Sequence, residues 1–384
     1  MGTSGNESKI NLNSILYLYL KAFSAEGGIE KFNRIFMKAL SEVSEQNNMF
    51  FNSYSLYDNY VNENYIEAKS FLGFNGNKIL FLLKSLFKST KIDLVILSHI
   101  NLSIIGLLIR LFFIKSKIIL IAHGIEVWSN LSIEKKLLLK HCDLILSVSN
   151  FTKKQLLANS NLNPDKIIVF PNTIDPLSSF NPEKFKNNVL LKRFGIKTDT
   201  KILLTISRLS SKEQYKGYDR VIECLPKVLS VFPDLKYIVV GRADEQELLR
   251  INSLINVLDL NSKVILTGFI TDENIPGYYN LADIFVMPSK GEGFGIVFLE
   301  SLASGTPVIA GNKDGSIDPL LNGELGFLVD PDDINKLSEV VIKILKREVN
   351  QDLVNPKYLS SRVYKEFGFE QFKSKLRSVI RKIE

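Results

Sequence analysis

The sequence predicts an α/β fold of two doubly wound parallel-sheet domains, and three observations carry that expectation. The chain has 384 residues, too many for one ordinary core, and its 45% hydrophobic and 23% charged composition supplies two. Short apolar runs alternate with amphipathic segments along the whole length, which is the pattern of βα units. Between two series of such runs lies FPNTIDPLSSFNPEKFKNN (170–188), with three prolines and many turn formers, and it reads as a linker. The expected domains are 1–180 and 190–366. The period of FEQFKSKLRSVIRKIE adds a terminal helix within 367–384, packing back toward the first domain.

The strand-like runs of the first half are SILYLYL (14–20), DLVILS (93–98), KIILIA (117–122), DLILSV (143–148) and KIIVF (166–170). Those of the second half are KILLTIS (201–207), KYIVVG (236–241), KVILTG (263–268), DIFVMP (283–288) and PVIA (307–310). Each leads into a polar or glycine-bearing turn and a helical pattern. Ligands of open parallel sheets collect beyond the carboxyl ends of the strands, so the loops after these runs are where chemistry is expected.

Composition removes several classes. Cys142 and Cys224 are the only cysteines and lie far apart, so neither a disulfide framework nor a zinc set can be built from them. The polar stretch 1–13 lacks the apolar core of a secretory leader, and a cytoplasmic location is expected. The most apolar stretch, IIGLLIRLFFIKSKIILIA (104–122), is interrupted by Arg110, Lys115 and Lys117. A spanning helix would bury one of these in lipid at a cost of about 3 kcal/mol, so a buried helix running into a buried strand is the reading. The excess of 48 Lys+Arg over 41 Asp+Glu suits an anionic partner. Nucleic acid is not expected, because no basic run is long enough.

After KILLTIS, Arg208 and Lys216 sit on one loop. Two cations at a strand's carboxyl end suit a diphosphate, Arg as a fork and Lys as a point charge; two solvated loop residues would read the same. After DIFVMP comes GEGFGIVFLESLASGTPVI (291–309). Its glycines lead into a helix starting near Gly295 or Ile296, where backbone N–H groups can bind phosphate. Glu292, in the loop, suits hydroxyl partners. Glu300, about one turn into an apolar helix, needs a partner, which a ribose or a structural arginine would supply.

These residues resemble the glutamate-(seven residues)-glutamate signature of the family 4 (group 1) retaining glycosyltransferases, whose GT-B architecture sets two Rossmann-like domains face to face across a cleft. The similarity extends through LASGTPVIAGNKDGSIDPLLNGELGFLVDPDD (302–333) and back through ISRLSSKEQYKGYDRVIECLP (206–226). Weaker echoes are GGIEKF (27–32), HGIE (123–126), SVSNFTKKQL (147–156) and VFPNTID (169–175).

The resemblance implies transfer of a sugar from a nucleotide diphosphate sugar, a UDP- or GDP-sugar, with retained configuration and no obligatory metal or cofactor. It assigns Arg208 and Lys216 to the diphosphate, Glu292 to the donor sugar's hydroxyls and Glu300 to the ribose. Gly293, Phe294, Gly295 and Ile296 would line the sugar and phosphate site, and Gly27 and Gly28 would face the donor phosphates from the first domain. His123 would contact the transferred sugar or the incoming hydroxyl; Glu126 is a weaker candidate, and His99 reads as structural. The chain departs from the family at Gly241, Arg242 and Ala243, where a second glycine is common. It departs again in NKDGSIDPL, where relatives carry a glycine pair and a glutamate; there Asp314 and Asp318 are expected to cap or orient the next helix rather than select the donor.

The acceptor is expected to be a saccharide, lipid-linked, in cell-surface polysaccharide synthesis (O-antigen, capsule or exopolysaccharide). FLLKSLFKSTK (81–91) places Lys84, Lys88 and Lys91 on one helical face beside Phe81, Leu82, Leu83, Leu86 and Phe87. With Arg110, Lys115 and Lys117 this is either a basic, apolar surface for anionic lipid at the inner face of the cytoplasmic membrane, or an amphipathic helix with its lysines in water. A sugar-nucleotide epimerase on the same architecture and a non-catalytic nucleotide-sugar-binding protein are the alternatives.

Overall fold

The computed structural model describes residues 12–129, 131–183 and 187–384. The polar stretch 1–11 and the linker positions 184–186 lie outside the described residues. The chain divides into two compact units. The first runs to Leu177 and takes in Phe369–Glu384, and the second is Ser178–Gly368.

The first unit holds β1 (Ser14–Tyr19), β2 (Phe50–Ser55), β3 (Phe71–Gly73), β4 (Leu94–Leu97), β5 (Lys117–Ala122), β6 (Leu144–Ser147) and β7 (Ile167–Val169). The second holds β8 (Ile202–Ile206), β9 (Lys236–Val240), β10 (Val264–Gly268), β11 (Ile284–Met287), β12 (Val308–Gly311) and β13 (Phe327–Val329). The sheet orders are β3-β2-β1-β4-β5-β6-β7 and β10-β9-β8-β11-β12-β13, and every pairing is parallel. Each sheet therefore has the doubly wound order. Its direction of winding reverses between β1 and β4 in one unit and between β8 and β11 in the other, and such switch points open a crevice for ligands.

All ten apolar runs form strands. β2, β3 and β13 had no such signal, for physical reasons. β2 (FFNSYS) is buried only at alternate positions and carries Asn52, Ser53 and Ser55 in its interior, while β3 and β13 are three residues each, too short to show a period. The central strands are buried throughout, which is what parallel sheets covered on both faces require.

Helices cover these faces with apolar stripes. The helix Tyr218–Leu229 sets Val221, Leu225 and Val228 into one cluster with Leu337, Val341 and Ile344 of the helix Ile334–Leu345. The helix Phe369–Ile383 belongs to the first unit, where the Phe372 ring lies 4.6 Å from Phe170 and Lys373 pairs with Glu42 at 2.7 Å.

The stretch 104–122 corrects the sequence reading in part. It is a helix (Ser103–Phe112) followed by β5, but the helix buries one side only, through Ile105, Gly106 and Ile109. Ile104, Leu111, Phe112 and the following Ile114 are exposed. The lysine-bearing helix is Lys78–Ser89, so Lys91 lies beyond its end rather than on its face. Phe81 is buried, whereas Ile79, Leu80, Leu83 and Phe87 are exposed. Among the described residues no helix is long and apolar enough to cross a membrane.

Candidate functional site

In the second unit, the loops after β8 and β11 carry the expected cations and acids. Arg208 is the second residue past β8, and backbone bonds fix it on both sides: Ser207 N–H donates to the Val240 carbonyl and Leu209 N–H to that of Arg242, each at 3.0 Å. Gly241 makes this approach possible, since a Cβ there, at φ +149°, would lie 1.8 Å from the Ser207 carbonyl oxygen. The Arg208 side chain is 65% exposed and donates to Glu213 at 2.6 Å.

Lys216 closes the same loop on a short 3-10 turn, and Gly217 follows it at φ +79°. A Cβ on Gly217 would lie 2.3 Å from the Pro288 carbonyl, so this turn is seated against the chain leaving β11. Tyr215 completes the seat: its carbonyl accepts from Lys290 N–H at 2.8 Å, and its ring occupies the space a Cβ on Gly291 would need. Nothing in the sequence singled out Tyr215. Burial raises the pKa of its phenol, while the charges of Lys216, Glu213, Glu292 and Arg208 act on it in opposing directions. The Lys216 ammonium lies 5.2 Å from the centre of that ring.

Within that group Lys216 is ion-paired with Glu292, and the two side chains are only 16% and 14% exposed. Burial by itself would lower the lysine's pKa; the Glu292 charge, with further help from Tyr215 and Glu213, outweighs it and the pKa is raised. The ammonium is thus held charged inside the site.

Glu292 is fixed by its backbone. Its N–H donates to the Asp314 carboxylate at 2.7 Å, and its carbonyl accepts from Gly315 N–H at 2.8 Å. Asp314 is fully buried and also accepts from the Ser289 hydroxyl and from Ser316 N–H. It caps the short 3-10 turn Gly315–Ile317, as the sequence suggested, and it also holds the glycine loop, which the sequence did not reveal. Burial is the larger influence on its carboxyl and pushes the pKa up to about 6 against these donors.

The helix Ile296–Ala303 begins directly after the loop. Gly295 precedes it at φ +88° with no capping side chain, and Phe298 N–H donates back to the Gly295 carbonyl at 3.1 Å, so the helix start is a positive end with its first N–H groups uncapped by side chains. Gly293 stands under Gly315, whose Cβ would lie 2.1 Å from the Gly293 carbonyl oxygen. Phe294 turns its ring into the core, against Phe367, so only its backbone is available to a ligand. Glu300 does not face solvent. It is buried, and its Oε2 accepts from the Tyr279 hydroxyl at 3.0 Å. Tyr279 had no sequence signal as a partner.

In the first unit, the helix Gly28–Gln46 starts at Gly28 with no side-chain cap on Gly27. The loop before it is held by Asp58, a fully buried carboxylate that accepts from Ala22, Phe23 and Ser24 N–H groups at 2.7, 3.1 and 2.7 Å. Glu30 folds back over Gly27 and pairs with Lys21 at 3.2 Å.

His123 follows β5. Its Nε2 lies 2.8 Å from the Ser98 carbonyl oxygen, so Nε2 carries the proton and Nδ1 the lone pair. Burial lowers its pKa to about 4 despite that hydrogen bond and the charge of Glu30, leaving a neutral ring at pH 7. Glu126 accepts from the His123 N–H at 2.6 Å and so orients the turn. His99 is structural: its Nδ1 accepts from Asn101 N–H at 3.0 Å at the start of a short 3-10 turn.

Comparison with known proteins bears on the same regions. Residues 187–359 match the model for glycosyl transferases group 1, and residues 64–176 match that for glycosyltransferase family 4. A GDP-mannose-dependent alpha-(1-6)-phosphatidylinositol monomannoside mannosyltransferase of Mycolicibacterium smegmatis is 29% identical over 241 residues, which are 60% of this chain and 61% of that protein. The mannosylfructose-phosphate synthase of Agrobacterium fabrum is 28% identical over 215 residues, 54% of this chain and 46% of that one. The matched stretch thus spans about half the length of these curated relatives. Among solved structures, Anabaena HepE in complex with UDP superposes with a TM-score of 0.72 at 17% identity, covering 96% of this chain and 99% of the other, which establishes the GT-B fold.

Proposed function

Because the chain belongs to the family 4, group 1 glycosyltransferases, we propose that it transfers a sugar from a nucleotide diphosphate sugar to a saccharide acceptor. The observation that carries this reading is the second-unit constellation: Lys216 against Glu292, beside the uncapped start of a helix that holds Glu300 in its core. Lys216, Arg208 and the helix N–H groups suit the charge that develops on a departing diphosphate; loss of one such donor typically costs about 3–4 kcal/mol in the barrier. Glu292 suits the sugar hydroxyls and Glu300 the ribose. The neutral His123 can accept a hydrogen bond from a hydroxyl at Nδ1, which fits a sugar or an incoming acceptor.

Retention and independence of metal belong to the same reading. Attack and departure on one face of the sugar, with a donor phosphate oxygen taking the acceptor proton, need no protein nucleophile. The nucleotide of HepE is UDP and the donor of the mycobacterial relative is GDP-mannose, which makes UDP- and GDP-sugars the first to try. Thermal-shift screening with these, then turnover of the best binder, tests the proposal. No shift with any nucleotide sugar would overturn it. Glu292→Ala should abolish turnover while sparing nucleotide binding more than Glu300→Ala does. Product configuration by NMR and activity in excess chelator decide retention and metal use.

A lipid-linked acceptor is the form we favour, with the protein working in the cytoplasm at the inner face of the membrane. Support comes from residues 68–125, which contain eight Lys or Arg and a single acid, Asp93, and so carry a charge equal to the +7 of the whole chain. Ile79, Leu83, Phe87, Leu111, Phe112 and Ile114 stand exposed among these cations. A basic surface with protruding apolar side chains suits an anionic bilayer. Co-sedimentation with vesicles containing anionic lipid should exceed that with purely zwitterionic vesicles, and should fall in a Lys84→Glu, Phe87→Ser double variant. Equal sedimentation in all cases would refute this contact.

A further inference from the structure

We infer that the Lys216–Glu292 ion pair makes the site discriminate a nucleotide diphosphate sugar from the bare nucleotide diphosphate left after transfer. The inference rests on the proposed function and concerns what the ligand must displace. Lys216 is engaged before any ligand arrives, by a carboxylate as shielded from water as itself. The two partners differ in freedom. Glu292 is bonded through both its N–H and its carbonyl to the segment carrying Asp314 and Gly315, and the backbone of Gly315 lies so close to that of Glu292 and Gly293 that a Cβ there would clash. Lys216 has a long side chain on a short turn. A diphosphate therefore draws the ammonium toward itself, and Glu292 stays where it is.

The outcome depends on what else the ligand brings. A carboxylate largely shielded from water, deprived of its cation and set near a diphosphate, is penalised twice, by lost pairing and by like charge. An intact donor removes much of that penalty, because its sugar hydroxyls can donate to Glu292 in place of the ammonium. The bare nucleotide diphosphate has no such groups and bears the whole of it. The pair thus weakens product binding more than donor binding, which favours product release. Asp314, by holding Glu292 in place, is the positioning residue for this effect.

Calorimetric titration of wild type and Glu292→Gln with UDP, GDP, UDP-glucose and GDP-mannose tests it. The glutamine keeps the side-chain volume and removes the charge, and thermal unfolding of the ligand-free variant verifies folding. In the wild type the donor should bind more tightly than its own nucleotide diphosphate. In Glu292→Gln the nucleotide diphosphate should bind about tenfold more tightly than in wild type, a typical size for coupling between two sites, and the preference for the donor should shrink toward unity. Glu292→Ala should shift nucleotide diphosphate binding in the same direction, and Lys216→Met should weaken both ligands. Unchanged or weaker nucleotide diphosphate binding in the folded Gln and Ala variants would overturn the inference while leaving the proposed function standing. Wild-type protein that binds none of the four ligands would remove both.

Discussion

Replacing Asp314 by Asn should change the pH dependence of folding in a known direction and by a calculable amount. In the native protein this carboxyl is fully buried, and burial lifts its pKa from the ordinary 3.8 to about 6. Between those values the folded chain keeps a proton that the unfolded chain has released. The stability due to this group is therefore complete below 3.8 and is lost as the pH rises through 6. At about 1.36 kcal/mol per pH unit the full loss is about 3 kcal/mol, nearly all of it between pH 4 and pH 7. Asn does not titrate. The stability of the variant minus that of the wild type should thus be about 2–3 kcal/mol more favourable at pH 7 than at pH 4. Other titrating groups cancel in this difference. Urea unfolding of both proteins at the two pH values, with equal slopes confirmed, measures it. A difference that does not move with pH would refute the picture of a buried, proton-holding clamp. A difference that moves the other way would mean that the hydrogen bonds from Ser289, Glu292 and Ser316 outweigh burial.

The histidines should act in the opposite sense. Burial lowers both His99 and His123 from 6.5 to about 4, so their stability is present above 6.5 and lost as pH falls toward 4, by about 3 kcal/mol at most for each; thermal melts of His123→Gln should show a shallower loss between pH 7 and pH 5 than wild type. Gly315→Ala places a Cβ against the backbone of Gly293 and Glu292, and should cost about 1–3 kcal/mol in urea unfolding together with most of the turnover. Tyr279→Phe removes the hydroxyl that donates to Glu300 and to the Val297 carbonyl; about 1–3 kcal/mol of stability should be lost, and nucleotide affinity measured by calorimetry should fall.

What could be read from the sequence is what leaves a local pattern. Ten strands announce themselves as apolar runs because a parallel sheet covered on both faces needs them, and the glycine loop with Glu292 and Glu300 announces itself because one acid among glycines and a second in an apolar helix form a conspicuous local pattern. The rest is non-local. β2 hides because Asn52, Ser53 and Ser55 break its apolar run, and the helix Ser103–Phe112 looked buried because exposed Ile104, Leu111 and Phe112 are indistinguishable, as letters, from core residues. Tyr215 and Tyr279 could not be found for another reason. Tyr215 meets Lys290 and Gly291 from the loop after β8, and Tyr279 meets Glu300 from another helix; a tyrosine flanked by ordinary residues has no signature of such a role.

The two glycine-bearing loops that lead into helices at Gly28 and Ile296 share a device that sequence periodicity could not disclose. In the first unit Asp58, just after β2, takes three successive N–H groups of the chain leaving β1. In the second, Asp314, just after β12, takes the N–H of Glu292 in the chain leaving β11. Both carboxylates are fully buried, and an acid in a turn would ordinarily be read as solvated. Glycine gives these loops the reach to approach a ligand closely, but at the cost of conformational freedom that would blur any geometry they present. A carboxylate from the adjacent strand restores the geometry through backbone N–H groups, so the loop's own side chains remain free for chemistry. On the proposed function, Glu292 would pass from an ammonium to a sugar without its backbone moving, and Lys216 would be the partner that gives way.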